Sequence, residues 1–280
     1  MIWELRHDHK LSLLFEVSGL PKATYYYYVK RMDTQDKHSE IKEQITAIFE
    51  ENHGRFGYRR ITLELRNRGH HINHKTVQRL MKSMGLVCKV RMKKYQSYKG
   101  EVGKIAPNLL ERNFEAGKPN QKWVTDVTEF SLFGQKLYLS PILDLCSRDL
   151  IAYTIVEKPA LSMVTNMVRL AFENLPDGTN LILHSDQGWQ YQHMHYQGLL
   201  KNKGVSQSMS RKGNCLDNAV MENFFGLLKS ELLYLQDFDS LEHFRTELID
   251  YLDYYNNRRI KVKLKGLTPA QHRRQALSAA

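Results

Sequence analysis

The sequence predicts an α/β chain: a mixed five-stranded sheet with flanking helices, preceded by an all-α basic region that contains a helix-turn-helix. Three observations carry this. Residues 1–120 hold 23 Lys and Arg against 13 Asp and Glu, a net of +10. Residues 121–280 hold 18 against 17, a net of +1. The texture also changes at about residue 121, from helical periodicity with glycine breaks to β-rich alternation. A basic part joined to a near-neutral one suggests a polyanion-binding module attached to a domain of a different kind.

Composition excludes several classes. At 280 residues the chain has length for about two domains, and 42% hydrophobic residues is ordinary for a globular protein. No apolar run is long enough for a membrane span. The start, Met1 to Asp8, carries charges where a secretory signal is apolar, so a cytoplasmic protein is expected. Cys88, Cys146 and Cys215 lie far apart without a Cys-x-x-Cys pair, which argues against a disulfide framework or a zinc knuckle.

The N-terminal helical region is placed at 1–54. Within it, Ser18-Gly19-Leu20-Pro21 breaks two helical runs, and Thr24 to Tyr28 leads to Lys30 and Arg31. This suits a helix-turn-helix and a plain packing hairpin equally. Residues 41–51 read as a polar amphipathic helix. The DNA-binding helix-turn-helix is placed at 55–87. Ile61, Leu63 and Leu65 mark a first helix, Gly69 breaks it, and Asn73 caps a second helix carrying Val77, Leu80, Met81 and Met84 before Gly85. Arg59, Arg60, Lys75, Arg79 and Lys82 are its candidate DNA contacts. A basic linker follows at 88–120, with Lys93 and Lys94 as further candidate contacts.

The catalytic core is placed at 121–235. Strands are expected over Trp123–Phe133, Lys136–Cys146, Leu150–Glu157, 181–184 and 205–209, with helices over 162–174, 193–203 and 217–235, the order of a layered α/β fold. A C-terminal helix and basic tail are placed at 236–280.

Three acids stand out. Asp126 lies mid-strand among Val124 and Thr128, where a carboxylate is costly unless something compensates it. Asp186 follows a short buried strand, the position at which α/β sheets place ligand chemistry. Glu222 lies inside the helix that begins near Asp217. Carboxylates from a strand, a strand end and a helix can surround Mg²⁺ or Mn²⁺. Two such ions would hold the attacking and leaving oxygens of a phosphoryl transfer. Lys229, two helical turns after Glu222, is placed to meet a DNA phosphate, with small Gly226 between them leaving room for the backbone. Met221, Phe224, Phe225, Leu228 and Leu232 form the opposite, core-facing stripe. Asp144, Asp149 and Asp177 are competing acids near strand ends. His184 and Trp189 are read as a core histidine and a packing tryptophan.

Spacing and flanking residues carry a resemblance. There are 59 residues between Asp126 and Asp186, and 35 between Asp186 and Glu222. Around them stand Trp123 to Thr128, His184-Ser185-Asp186-Gln187-Gly188, Ser210 to Ala219, and Glu222-Asn223-Phe224-Phe225 leading to Lys229. With the region 55–86, Tyr255 to Arg259 and Gly266 to Ala270, these resemble the OrfB-type transposases of the insertion-sequence-three family of bacterial mobile elements, relatives of retroviral integrases. The resemblance covers nearly the whole chain. It implies an RNase H-like core and a metal-dependent DNA transposase in which Asp126, Asp186 and Glu222 bind two Mg²⁺ or Mn²⁺ ions. It also implies strand cleavage and transfer at the element's ends by a 3′-hydroxyl, without a covalent enzyme intermediate. Lys229 matches the family's basic residue seven positions after the glutamate, and Arg211 and Lys212 join the DNA contacts. DNA, further copies of the chain on DNA, and a segment fused from an upstream reading frame are the implied partners. The alternatives are an RNase H-fold nuclease and a non-catalytic DNA-binding regulator.

Overall fold

The computed structural model describes residues 2–32, 36, 38–89, 105–211 and 214–279. It divides into two compact units, 1–47 and 48–280. The first holds α1 (Ile2–Leu5), α2 (Leu11–Ser18), α3 (Lys22–Met32) and the start of α4 (Ser39–Glu51). Gly19 ends α2 with a left-handed φ of 64°, a conformation open to a residue without Cβ. Tyr25 is buried edge-on against Phe15, at 5.2 Å between ring centres, while Tyr26, Tyr27 and Tyr28 are exposed.

In the second unit, α5 (Tyr58–Asn67) and α6 (His74–Ser83) form the basic helical pair expected there. Ile61 and Leu65 are buried on one helix, and Val77, Leu80 and Met81 on the other. The Asn73 side chain accepts the Lys75 N–H at 2.9 Å, the expected N-cap.

The sheet is mixed, with helices around it, the class expected from the sequence. It contains β1 (Lys122–Thr125), β2 (Thr128–Leu132), β3 (Gln135–Asp144), β4 (Leu150–Val156), β5 (Ile182–Ser185) and β6 (Ser206–Met209). Six strands occupy the five expected lanes, because the first lane is broken. Both β1 and β2 pair antiparallel with β3, Thr125 opposite Ile142 and Thr128 opposite Leu139, so the register continues unshifted across the gap. That register sets Pro141 opposite Asp126. Proline has no N–H to give a ladder, and the Pro141 carbonyl instead accepts the Thr125 hydroxyl at 2.9 Å. The strand therefore stops pairing at the first of the three acids. Across the sheet the lanes run β4, β3, β1 with β2, β5 and β6, the last three parallel from β1 onward.

Around the sheet lie α7 (Leu161–Glu173), α8 (Trp189–Gln192), α9 (Met194–Asn202), α10 (Ala219–Leu228), α11 (Leu241–Asn257) and α12 (Pro269–Ser278). Met163, Val164, Met167 and Val168 of α7 pack with Trp123, Leu183, Tyr191, Tyr196 and Met209 in one buried cluster. Part of the segment read as a linker is docked rather than free. The Pro107 carbonyl accepts the Met209 N–H at 3.2 Å, Leu109 N–H donates to the Ser208 hydroxyl at 2.9 Å, and Leu110 is buried. This segment lines the β6 edge, which would otherwise expose unpaired backbone groups. The C-terminal tail also folds back. Asn67 of α5 donates to the Gly266 carbonyl, and Arg273 of α12 to Asn120. Among the described residues no helix is long and apolar enough to cross a membrane.

Candidate metal centre and nucleic-acid interface

Asp126 stands at the break between β1 and β2, and Asp186 directly follows β5. These strands are parallel neighbours with Val124 beside His184. Two residues further along, both aspartates leave the sheet at the same level, from lanes spaced about 4.8 Å apart. Helix α10 packs on β1 and carries Glu222 in its first turn. Each acid is half-buried. Asp126 accepts its neighbour Val127's N–H at 2.7 Å, and Asp186 accepts from Gly188 N–H at 2.9 Å.

Electrostatics show that these groups face one another. Burial, then the charges of Asp186 and Glu222, hold the Asp126 carboxyl well above its ordinary range, with Lys229 pulling the other way. Burial also raises Asp186 and Glu222. Among the described residues no group of three or more His, Cys, Asp or Glu closes to the spacing of a ready-made metal cluster. Asp126 feels the charges of both other acids. The donor set is nonetheless all carboxylate oxygen, half-sheltered and mutually repelling, which fits a hard divalent cation.

Lys229, just past α10, is half-buried with its ammonium 5.8 Å from the Phe130 ring centre. Burial lowers its pKa, while Asp126 and Glu129 oppose that shift. Gly226 is exposed, and a Cβ there would meet nothing within 4 Å. The expected core stripe, Met221, Phe224, Phe225, Leu228 and Leu232, is buried. The acids lie outside the cavity of about 330 Å³ lined by Phe49, His53, Arg55 and Lys89.

The competing acids are otherwise engaged. Asp144 is fully buried and accepts from Asn120 N, Trp123 Nε1, Cys146 N and Ser147 N. Asp177 pairs with Lys203 at 2.6 Å, and Asp149 lies 3.8 Å from Arg273.

Two family models described as integrase core domain match residues 116–215 and 222–277, and an HTH-like domain model matches 37–94. The chain is 51% identical over 272 residues to the putative transposase InsK for insertion sequence element IS150 of Escherichia coli K12, covering 97% of this chain and 96% of that one. It is 31% identical over 281 residues to the transposase InsF for insertion sequence IS3A of the same organism, covering 98% of each. The chain belongs to this family of insertion-sequence transposases. Among solved structures, the HTLV-2 integrase catalytic core domain in complex with magnesium matches 56% of this chain and 97% of that one, at 21% identity and a TM-score of 0.46.

The expected DNA contacts of this transposase fall into distinct settings. Arg59, Lys75, Arg79 and Lys82 are exposed on the α5–α6 pair. Arg60 turns inward, its guanidinium 5.4 Å from the Phe56 ring centre and 3.6 Å from Glu231. Arg211 is exposed but held by Asp217, at 2.9 and 3.0 Å. Lys93, Lys94 and Lys212 lie outside the described residues.

Sequence reasoning missed several residues here. Trp189 does not pack: it is 53% exposed, three positions after Asp186. His184 is a core residue as read, sharing a hydrogen bond with the Ser208 hydroxyl at 2.8 Å, with its pKa lowered to about 4 by burial. Asp217 is a buried hub for Arg211, Arg112 and Asn108.

Proposed function

We propose that this transposase cuts and joins DNA at the ends of its insertion element, with Asp126, Asp186 and Glu222 as the ligands of Mg²⁺ or Mn²⁺, two ions when DNA is bound. The observation that carries the reading is the emergence of Asp126 and Asp186 at one level of adjacent parallel strands, under the helix that bears Glu222. Bound there, divalent cations neutralise charge on the phosphodiester and polarise the oxygens that exchange at phosphorus. The protein's own contribution is placement. Lys229 meets a phosphate beside Glu222 across the open face at Gly226. Arg59, Lys75, Arg79 and Lys82 hold the duplex by its backbone, and the docked segment at 105–112 covers the β6 edge of the sheet. Assembly of several copies on the element's ends, and a segment contributed from an upstream reading frame, belong to the same proposal.

The test is a strand-transfer assay on labelled element-end DNA with Mg²⁺ or Mn²⁺. Joined products are expected, and Asp126→Asn and Asp186→Asn each reduce them at least about 10³-fold while DNA binding persists. Hydrolysis without joining would favour the nuclease reading. Full activity of Asp126→Asn would remove the ligand assignment.

A further inference from the structure

We propose that Tyr191 is a positioning residue that braces Asp186 against Asp126 and sets the separation at which the two hold a divalent cation. The inference rests on the reading of these aspartates as ligands.

One end of the ring bears on the Asp186 turn. A Cβ built on Gly188 would lie 3.0 Å from Asp186 Oδ1 and 3.3 Å from Tyr191 Cδ2. The carboxylate and the ring edge therefore flank the same backbone carbon, with Gln190 Oε1 beside them at 3.1 Å from that Cβ position. The turn is tied twice: Gly188 N–H donates to Asp186 Oδ1 at 2.9 Å, and Tyr191 N–H donates to the Gly188 carbonyl at 3.0 Å.

The other end reaches the Asp126 strand. The Tyr191 hydroxyl lies 3.5 Å from the hydroxyl of Thr125, the residue before Asp126. Thr125 has one proton, and it goes to the Pro141 carbonyl at 2.9 Å. The phenol proton is thus the one left to donate. Its acceptor on this side is Thr125; burial first, and then the charges of Asp126 and Asp186, keep the phenol protonated.

The ring cannot swing away. Tyr191 is 1% exposed and packs edge-on against buried Tyr196, at 5.4 Å between ring centres. Gln207 donates to the Tyr191 carbonyl at 2.8 Å, anchoring the backbone to β6. A phenylalanine fills the same volume and removes only the hydroxyl that reaches Thr125, the residue before Asp126. Groups that orient metal ligands in this way commonly change metal affinity about 10–100-fold when removed.

The experiment measures Mn²⁺ binding to the full chain by titration calorimetry, beside its melting temperature without Mn²⁺. Tyr191→Phe is expected to raise the Mn²⁺ dissociation constant about tenfold or more. Its melting temperature should stay within about 3 °C, and the Mn²⁺ needed for half-maximal strand transfer should rise in step, with activity recovering at saturation. Gly188→Ala, whose added methyl would crowd Asp186 Oδ1 at 3.0 Å and the Tyr191 ring at 3.3 Å, should weaken Mn²⁺ binding likewise and decides the matter if Tyr191→Phe fails to fold. Unchanged Mn²⁺ affinity in the folded Tyr191→Phe chain overturns the brace, as does a weakening that only tracks loss of fold. Asp126→Asn is the separate control. If it binds Mn²⁺ as the unaltered chain does, the ligand reading itself is wrong, whatever Tyr191→Phe does.

Discussion

Arg259 holds the Glu231 carboxylate by two hydrogen bonds, 2.7 Å from Nε and 2.6 Å from Nη2, with both side chains almost fully buried. Tyr251 adds its hydroxyl at 3.0 Å, and Arg55 donates to the Glu231 carbonyl at 3.0 Å. Glu231 sits in a π-helical turn, Lys229–Leu233, that directly follows α10. The pair therefore ties the end of the helix bearing Glu222 to the segment after α11 and to the entry of α5. Removing one partner leaves a buried charge unmatched. Glu231→Gln should cost about 3–5 kcal/mol, read from denaturant unfolding. Replacing both partners with apolar residues of similar volume should recover much of that loss. Glu231's pKa is held below its ordinary value despite burial, chiefly by Arg259. Its contribution is thus present above the unfolded carboxylate range and fades as pH falls through the lowered folded value.

Asp126 should show the opposite balance. Asp126's pKa is raised, by burial first and by Asp186 next. A raised carboxylate favours the folded state at low pH and opposes it as pH rises through the folded value. Without divalent cation at pH 8, Asp126→Asn should therefore melt higher than the unaltered chain, by roughly 2–4 °C. Added Mg²⁺ should stabilise the unaltered chain and leave the variant behind. A lower melting temperature of Asp126→Asn without cation would contradict the repulsion described for this site.

These features differ in how far they can be read from sequence. Asp126 and Asp186 were legible because an acid inside or just after an apolar strand is locally anomalous. Asn73 was legible because capping is a short-range hydrogen bond. The break at Asp126 was not, since it depends on which residue of β3 stands opposite, and only the register brings Pro141 there. Glu231 and Arg259 carry no local signal: both look like ordinary surface charges until the tail folds back. The same holds for 105–112, whose partners Ser208, Met209 and Asp217 lie about a hundred residues away. Trp189 was misread as packing because apolar character says nothing about which face of a one-turn helix meets solvent.

Asp217 offers a sharper stability test. It is buried at the start of the turn into α10 and accepts from Arg211 Nε and Arg112 Nε at 2.9 Å and from Asn108 at 3.1 Å. Arg211 first of all holds its carboxyl far below the usual range. The two arginines are about half exposed, so water screens much of their attraction. What remains is the loss of several hydrogen bonds to one buried anion, about 2 kcal/mol for Asp217→Asn. Because the pKa is lowered, this stability is present above the unfolded range near 3.8 and is lost only in stronger acid. The variant should also expose 105–112 to limited proteolysis. Undiminished protection of that segment would show that Asp217 does not anchor it.

The basic face of α5 and α6 separates DNA contacts from structural arginines. Lys75, Arg79 and Lys82 are exposed on one helix, free to neutralise phosphates. Each that does so releases counterions, so Lys75→Ala, Arg79→Ala and Lys82→Ala should each weaken element-end binding and flatten the plot of log affinity against log salt by roughly 1. Arg60 lies on the neighbouring helix, yet it is turned toward Glu231, and burial, followed by the Arg259 charge, lowers its pKa. Arg60→Ala should instead lower the unfolding free energy by about 1–2 kcal/mol and leave the salt slope unchanged. Filter binding from 50 to 300 mM salt, roughly the range over which phosphate contacts weaken, separates the two outcomes. A reduced slope for Arg60→Ala would place that guanidinium on the DNA and would mean that it leaves Glu231 when DNA binds.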